Sequence, residues 1–185
     1  MVPLQKSFIY LISGVLVTLF TGWVFFGTDI FSVRQPVFAF TSLGVTGSVF
    51  LSLLLVRRFR DAIFLSILLF LLNLLISHSR FLVTQFFFFG GCILAVTLYW
   101  ARIYGNGRSW RWMRPLSLSA LFAVISVINT VVLGLIYRGN ISHPLINVPV
   151  SFLVGLGLGL GFEVGDELVQ RMERITQSDP SAPST

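Results

Sequence analysis

Six stretches of the chain are almost continuously apolar, and short polar or cationic turns separate them. They cover residues 7–26, 37–56, 62–77, 81–104, 116–137 and 145–164. Crossing a bilayer as a helix takes about 20 mostly apolar residues, so each stretch predicts a membrane span. The third is short, and Ser77-His78-Ser79-Arg80 divides it from the fourth. One helix over 62–104 would far exceed a bilayer, so a tight turn is predicted at that tetrapeptide. Pro36, Pro115 and Pro144 stand at or just before segment starts, where a first helical turn tolerates proline. The predicted fold is therefore all-α: a polytopic membrane bundle of six transmembrane helices in one domain, residues 1–177.

After Val164 the pattern changes. Glu163, Glu167 and Arg171 are spaced by four, and Leu168, Met172 and Ile175 form an apolar stripe at helical spacing. The last helix is expected to run on past the membrane to about residue 176. The Ser-, Pro- and Ala-rich residues 178–185 read as a disordered tail.

Composition agrees with the pattern. Charged residues make up 11% of the chain, and soluble domains carry about 25%. Too few charges remain to cover a water-facing surface, and 19 phenylalanines would overfill the core of a soluble domain this size. The net charge of +6 does not point to nucleic acid, because the cations lie in clusters between apolar runs. With the N-terminus inside, Lys6, Arg57, Arg58, Arg60, Arg102, Arg108, Arg111, Arg114, Arg171 and Arg174 fall on the cytoplasmic side. Only Arg34, Arg80 and Arg138 fall outside. That bias predicts both termini cytoplasmic, in the plasma (inner) membrane. Tyr99, Trp100, Tyr104, Trp110 and Trp112 cluster near one cytoplasmic loop, and Trp23 near the outer end of the first helix, as interfacial rings do. Lys6 precedes a run of about twenty apolar residues with no small-residue cleavage site after it, which reads as a retained span. Cys92 is the single cysteine, so CxxC chemistry and an intramolecular disulfide are excluded, and it reads as a packing residue.

Small residues form the clearest motif. Gly155 and Gly159 are four apart, and so are Gly157, Gly161 and Gly165. Such rows let helix backbones approach where lipid supplies no hydrophobic drive. Gly14, Thr18 and Gly22 repeat the spacing on the first helix, and Gly44, Gly47, Ser48 and Ser52 line the second. Either row could serve internal packing or partner docking. No strand precedes the glycines and no Lys-Ser or Lys-Thr follows, so they are not a nucleotide loop.

Two amides interrupt apolar runs. Asn73 lies about 16 Å into the third segment and Asn129 about 20 Å into the fifth, at similar predicted depth. Ser77 shares a face with Asn73, and Ser126 with Asn129. Polar groups at this depth should face the bundle interior, either as interhelical hydrogen bonds or as part of an outward-opening pocket. His78, Arg80, Gln85, His143 and Asn147 are the ligand-binding candidates above them, with Asp29, Arg34, Gln35 and Arg138 in the same outer loops. Two histidines are too few for a metal or haem site, and no cofactor is predicted. Arg102, Arg108, Arg111 and Arg114 could hold an anionic lipid headgroup. Glu163, Asp166 and Glu167 form an acidic patch whose expected partners are Arg57, Arg58 or Arg60.

Gly44-Val45-Thr46-Gly47 faintly resembles the GxSG motif of rhomboid proteases, but threonine holds the nucleophile position and the glycine-rich last helix has no histidine. In size and helix number the chain resembles the substrate-binding subunits of energy-coupling-factor vitamin transporters. That resemblance implies a partner docked on small residues of the first helix. Small membrane subunits of cell-shape and envelope assemblies fit the same outline. No His/Ser, His/Cys or paired-carboxylate set lies at membrane depth, which leaves an intramembrane lipid-modifying enzyme as the third reading. The leading expectation is a non-enzymatic membrane subunit that binds a small solute or lipid and supports its transport. Its partners would be the lipid bilayer and a membrane protein or a second copy, with no nucleic acid. The alternative is a structural or assembly subunit.

Overall fold

A computed structural model describes residues 2–27, 37–77, 82–101, 113–136 and 147–178. Among them the chain forms six helices and no strand: α1 Pro3–Phe26, α2 Val37–Leu55, α3 Phe59–Ser77, α4 Leu82–Tyr99, α5 Arg114–Ile136 and α6 Asn147–Ser178. Pro3 opens α1 at a position whose backbone needs no N–H, and Pro115 sits likewise in the first turn of α5. Of the tail expected at 178–185, Ser178 ends α6, and residues 179–185 lie outside the described residues.

Between α2 and α3 the chain turns on Arg57, the one non-glycine residue with positive φ (60°) among those described. Its N–H donates to Leu54 O (3.0 Å) and that of Arg58 to Leu53 O (2.9 Å). This pair of bonds is the Schellman closure of a helix C-terminus, with arginine where glycine is usual.

The distribution of side chains is inverted relative to a water-soluble protein. The large apolar side chains Phe8, Leu16, Phe20, Phe64, Leu75, Phe86, Val131 and Leu135 are exposed, while Ser13, Thr18, Thr46, Ser48, Ser66, Ser119 and Ser126 are buried. Buried serine and threonine hydroxyls mostly return to their own helix: Ser13 Oγ donates to Ile9 O, Ser48 Oγ to Gly44 O and Ser119 Oγ to Pro115 O. A side chain satisfied in this way is compact and leaves little polar surface, which suits an interior built on close helices. α1, α5 and the apolar part of α6 (Asn147–Ile175) are long and apolar enough to cross a membrane.

Helix α6 is the axis of the bundle. It packs most extensively against α5 and α1, and both neighbours run antiparallel to it. α2 lies against α1, α3, α4 and α6, and α4 bridges from α2 to α5. Consecutive helices pair antiparallel at α1–α2, α2–α3 and α4–α5, as the contacts Gly14–Ser48, Asn73–Ser42 and Asn129–Phe87 require. The described cations, Lys6, Arg57, Arg58, Arg60, Arg114, Arg171 and Arg174, consequently gather at one end of the bundle. The start of α1 lies beside the end of α6, where Lys6 Nζ meets Glu173 Oε1 at 2.6 Å.

Candidate functional site

The two glycine rows of α6 face different helices. A Cβ added at Gly155 would lie 2.7 Å from Ser119 Cα, and one at Gly159 would lie 2.5 Å from Pro115 Cα, both on the α5 backbone. At Gly157 it would meet Thr18 Cα at 2.8 Å, and at Gly161 it would meet Gly14 Cα at 2.7 Å, both on α1. Gly165 faces Ser13 Oγ and the Tyr10 ring. Hydrogen alone fits at Gly155, Gly157, Gly159 and Gly161 because the nearest obstacle is backbone, which cannot swing aside. On α1, Gly14 and Thr18 are occupied from two sides, by α6 and by Ser48 and Gly44 of α2, and Gly22 is also buried.

Both rows continue in register into charged residues. Four residues beyond Gly159, Glu163 still faces α5, and its Oε1 lies 3.4 Å from Arg114 Nη1. Beyond Gly165 come buried Val169 and then Glu173, which meets Lys6 of α1. Asp166 serves both neighbours. Its Oδ1 accepts from Tyr10 Oη at 2.5 Å, and its Oδ2 lies 3.5 Å from Arg114 Nη1. Asp166 and Arg114 are both buried, so the carboxylate joins three helices away from water. This clasp corrects two expectations. Arg114 is not spread toward a lipid headgroup, because its side chain is enclosed by the acids of α6. Glu163 and Asp166 pair with Arg114, and Arg58, just ahead of α3, pairs instead with Asp61 in its first turn. Arg102, Arg108 and Arg111 lie outside the described residues.

The two asparagines do not meet. Asn73 Nδ2 donates to Ser42 Oγ at 2.7 Å, joining α3 to α2. Its Oδ1 is buried with no hydrogen-bond partner among the described residues. Asn129 Nδ2 donates to Phe87 O at 2.9 Å, joining α5 to α4. The side each amide faces does not follow from residue counting. They serve separate helix pairs and do not form one outward pocket between them. Asn147 is half-buried in the first turn of α6. The backbones of Ser77 and Gln85 are helical, and His78, Arg80 and His143 lie outside the described residues.

Asn129 instead lines a cavity of about 200 Å³ between α4 and α5. Phe86, Phe87, Gly90, Gly91, Leu94, Ile125 and Ile128 form the rest of its wall. Gly91 is required there, since an added Cβ would lie 2.6 Å from Asn129 Nδ2 and 2.9 Å from Ile125 Cγ2. Gly90 is the opposite case, with no atom within 4 Å of an added Cβ. The rim residues Phe86, Leu94 and Ile128 are themselves exposed, so the cavity opens among the exposed apolar side chains (the apolar belt). Cys92, one residue along from Gly91, turns inward, with Sγ 3.7 Å from Leu43 O, and is buried packing.

Among the described residues no group of three or more His, Cys, Asp or Glu side chains could hold a metal ion. No family model, curated protein or solved structure matches the chain.

Proposed function

We propose that the protein is a six-span component of the plasma (inner) membrane, with both termini cytoplasmic. In this reading it is a non-catalytic subunit that binds a small solute or lipid and supports its transport with partner proteins. The membrane placement is supported by exposed apolar and buried small polar side chains, an arrangement stable only in an apolar solvent. The orientation is supported by the collection of cations at the end where α1 begins and α6 finishes.

One observation carries the ligand-binding part: the lateral cavity of α4 and α5, with a single polar side chain in an otherwise apolar wall. Such a lining, open toward the apolar belt, suits a molecule arriving from the bilayer better than a polar solute arriving from water. Of the two ligand classes, lipid is therefore the better supported. Purification from native membranes followed by native mass spectrometry tests this. A retained lipid-sized adduct, lost in Gly91→Val, is expected. A bare polypeptide at every detergent concentration contradicts it.

The assembly-subunit reading draws on a different observation. The small-residue row of α1 is already filled by α2 and α6, so a partner would have to dock on the large apolar side chains of the belt. Co-purification with one fixed partner that survives Gly91→Val and carries no lipid would favour that reading.

A further inference from the structure

We propose that the α4–α5 cavity is a site for a membrane-dissolved molecule with an apolar body and one hydrogen-bond donor, held by the Asn129 carbonyl oxygen. This rests on the reading of the chain as a bilayer protein that binds lipid, and it names the chemistry the site selects.

The cavity has room and direction. Gly90 and Gly91 line it without side chains of their own, and its exposed rim faces the belt that lipid would cover. A void of this kind in hydrocarbon is filled by whatever the bilayer supplies, since apolar walls do not hold water. Asn129 makes the site selective. Its residue is nine-tenths buried, and its Nδ2 is committed to Phe87 O, which fixes the amide plane. Among the described residues no donor reaches its Oδ1. The neighbouring hydroxyls of α5 do not supply one: Ser126 Oγ and Thr130 Oγ1 are themselves buried without partners. At Asn129 the committed end faces a helix carbonyl, and Oδ1 is the remaining polar group of the one polar side chain in the cavity wall.

The requirement on the ligand follows from the atom types. Oδ1 only accepts, so the site favours a hydroxyl or an amide N–H over an ester, ether or ketone of equal size. Saturated chains enter the same space without that bond.

The test uses the full-length protein in nanodiscs of neutral phospholipid. The probes are a long-chain alcohol carrying a mid-chain diazirine, its methyl ether, and the corresponding primary amide. Photolabelling is mapped by peptide sequencing. The alcohol or the amide should label residues 86–94 and 125–129 about fivefold more strongly than the ether. Their relative yields identify which donor is preferred. Gly90→Leu, whose Cβ would meet no atom within 4 Å, should abolish the excess at these peptides. Ile128→Trp, from the opposite wall, should do the same and guards against a fold defect in the first variant. Equal labelling by alcohol and ether overturns the proposal, as does excess labelling that survives both variants. In those cases even labelling of exposed α1 and α3 residues would leave the bilayer reading intact. Absence of labelling on every helix would contradict the bilayer reading itself.

Discussion

The three-helix unit of α1, α5 and α6 and the flank formed by α3 and α4 solve the same packing problem in opposite ways. In the first, glycines bring backbones to within a hydrogen's width, and a carboxylate shared by Tyr10 and Arg114 closes one end. In the second, phenylalanine rings act as spacers. Phe70 of α3 meets Phe89 edge-on at 5.2 Å and Phe86 at 6.2 Å, and Phe59 meets Trp100 at 5.3 Å. The cavity lies where α4 of the flank meets α5, and Asn73 of α3 keeps an unsatisfied amide oxygen; the glycine contacts of α6 with α1 and α5 leave no such space. Lipid solvates apolar side chains as well as protein does, so burying a phenylalanine gains little in a bilayer. Close van der Waals approach and enclosed polar links gain more. The unit is therefore the close-packed scaffold, and the α4–α5 seam is where the packing leaves room.

Substitutions at glycines should break this contrast most strongly. Gly161→Leu drives a side chain into the α1 backbone and should cost about 4 kcal/mol, above the usual range for overpacking because neither obstacle can rotate. Gly90→Leu should change stability by less than about 1 kcal/mol, since its surroundings are empty. Reversible unfolding in mixed micelles measures both. Arg114→Met should follow, at about 3 kcal/mol, because it strands two acids without their cation. Adding Glu163→Gln and Asp166→Asn to that variant should recover most of the loss in the same assay, as the stranded charge is removed.

Phe70→Ala sharpens the comparison from the other side. In a soluble core it would cost about 3–5 kcal/mol. Here only the two ring contacts are lost, at about 1 kcal/mol each, so about 2 kcal/mol is expected in micelle unfolding. Asn73→Leu should cost about 0.6 kcal/mol, the usual value of an interhelical hydrogen bond in a membrane, partly offset by removing an unsatisfied oxygen. Arg57→Gly should stabilise by about 1 kcal/mol by relieving a left-handed conformation, and a rise in thermal midpoint would report it.

Much of the scaffold was legible before any coordinates. The apolar runs mark the helices because a bilayer span must be both long and greasy, and the spacing of the glycines marks two helix faces. The charged continuation of those faces was legible too. Counting by four from Gly159 reaches Glu163, and from Gly165 reaches Glu173, so each acid's neighbour helix could have been read from its row. Reading Arg114 only as one of a loop's cations hid its partnership, since a count of charges per side takes no account of which face they occupy. Tyr10 gave no signal of its own, because its link to Asp166 spans the whole chain. The separation of Asn73 from Asn129 was not legible either. Depth follows from residue count along one helix, whereas facing depends on which helices are neighbours.

The account depends most on α1 starting where α6 ends, on the cytoplasmic side and in contact. Cysteines replacing Lys6 and Glu173 in a Cys92→Ser background test this directly in sealed, right-side-out membranes. The predicted result is an intramolecular cross-link by a short bifunctional thiol reagent once the membranes are opened, with both thiols labelled by an impermeant reagent only after opening. Labelling of either thiol in intact membranes, or failure of the pair to cross-link, would contradict it.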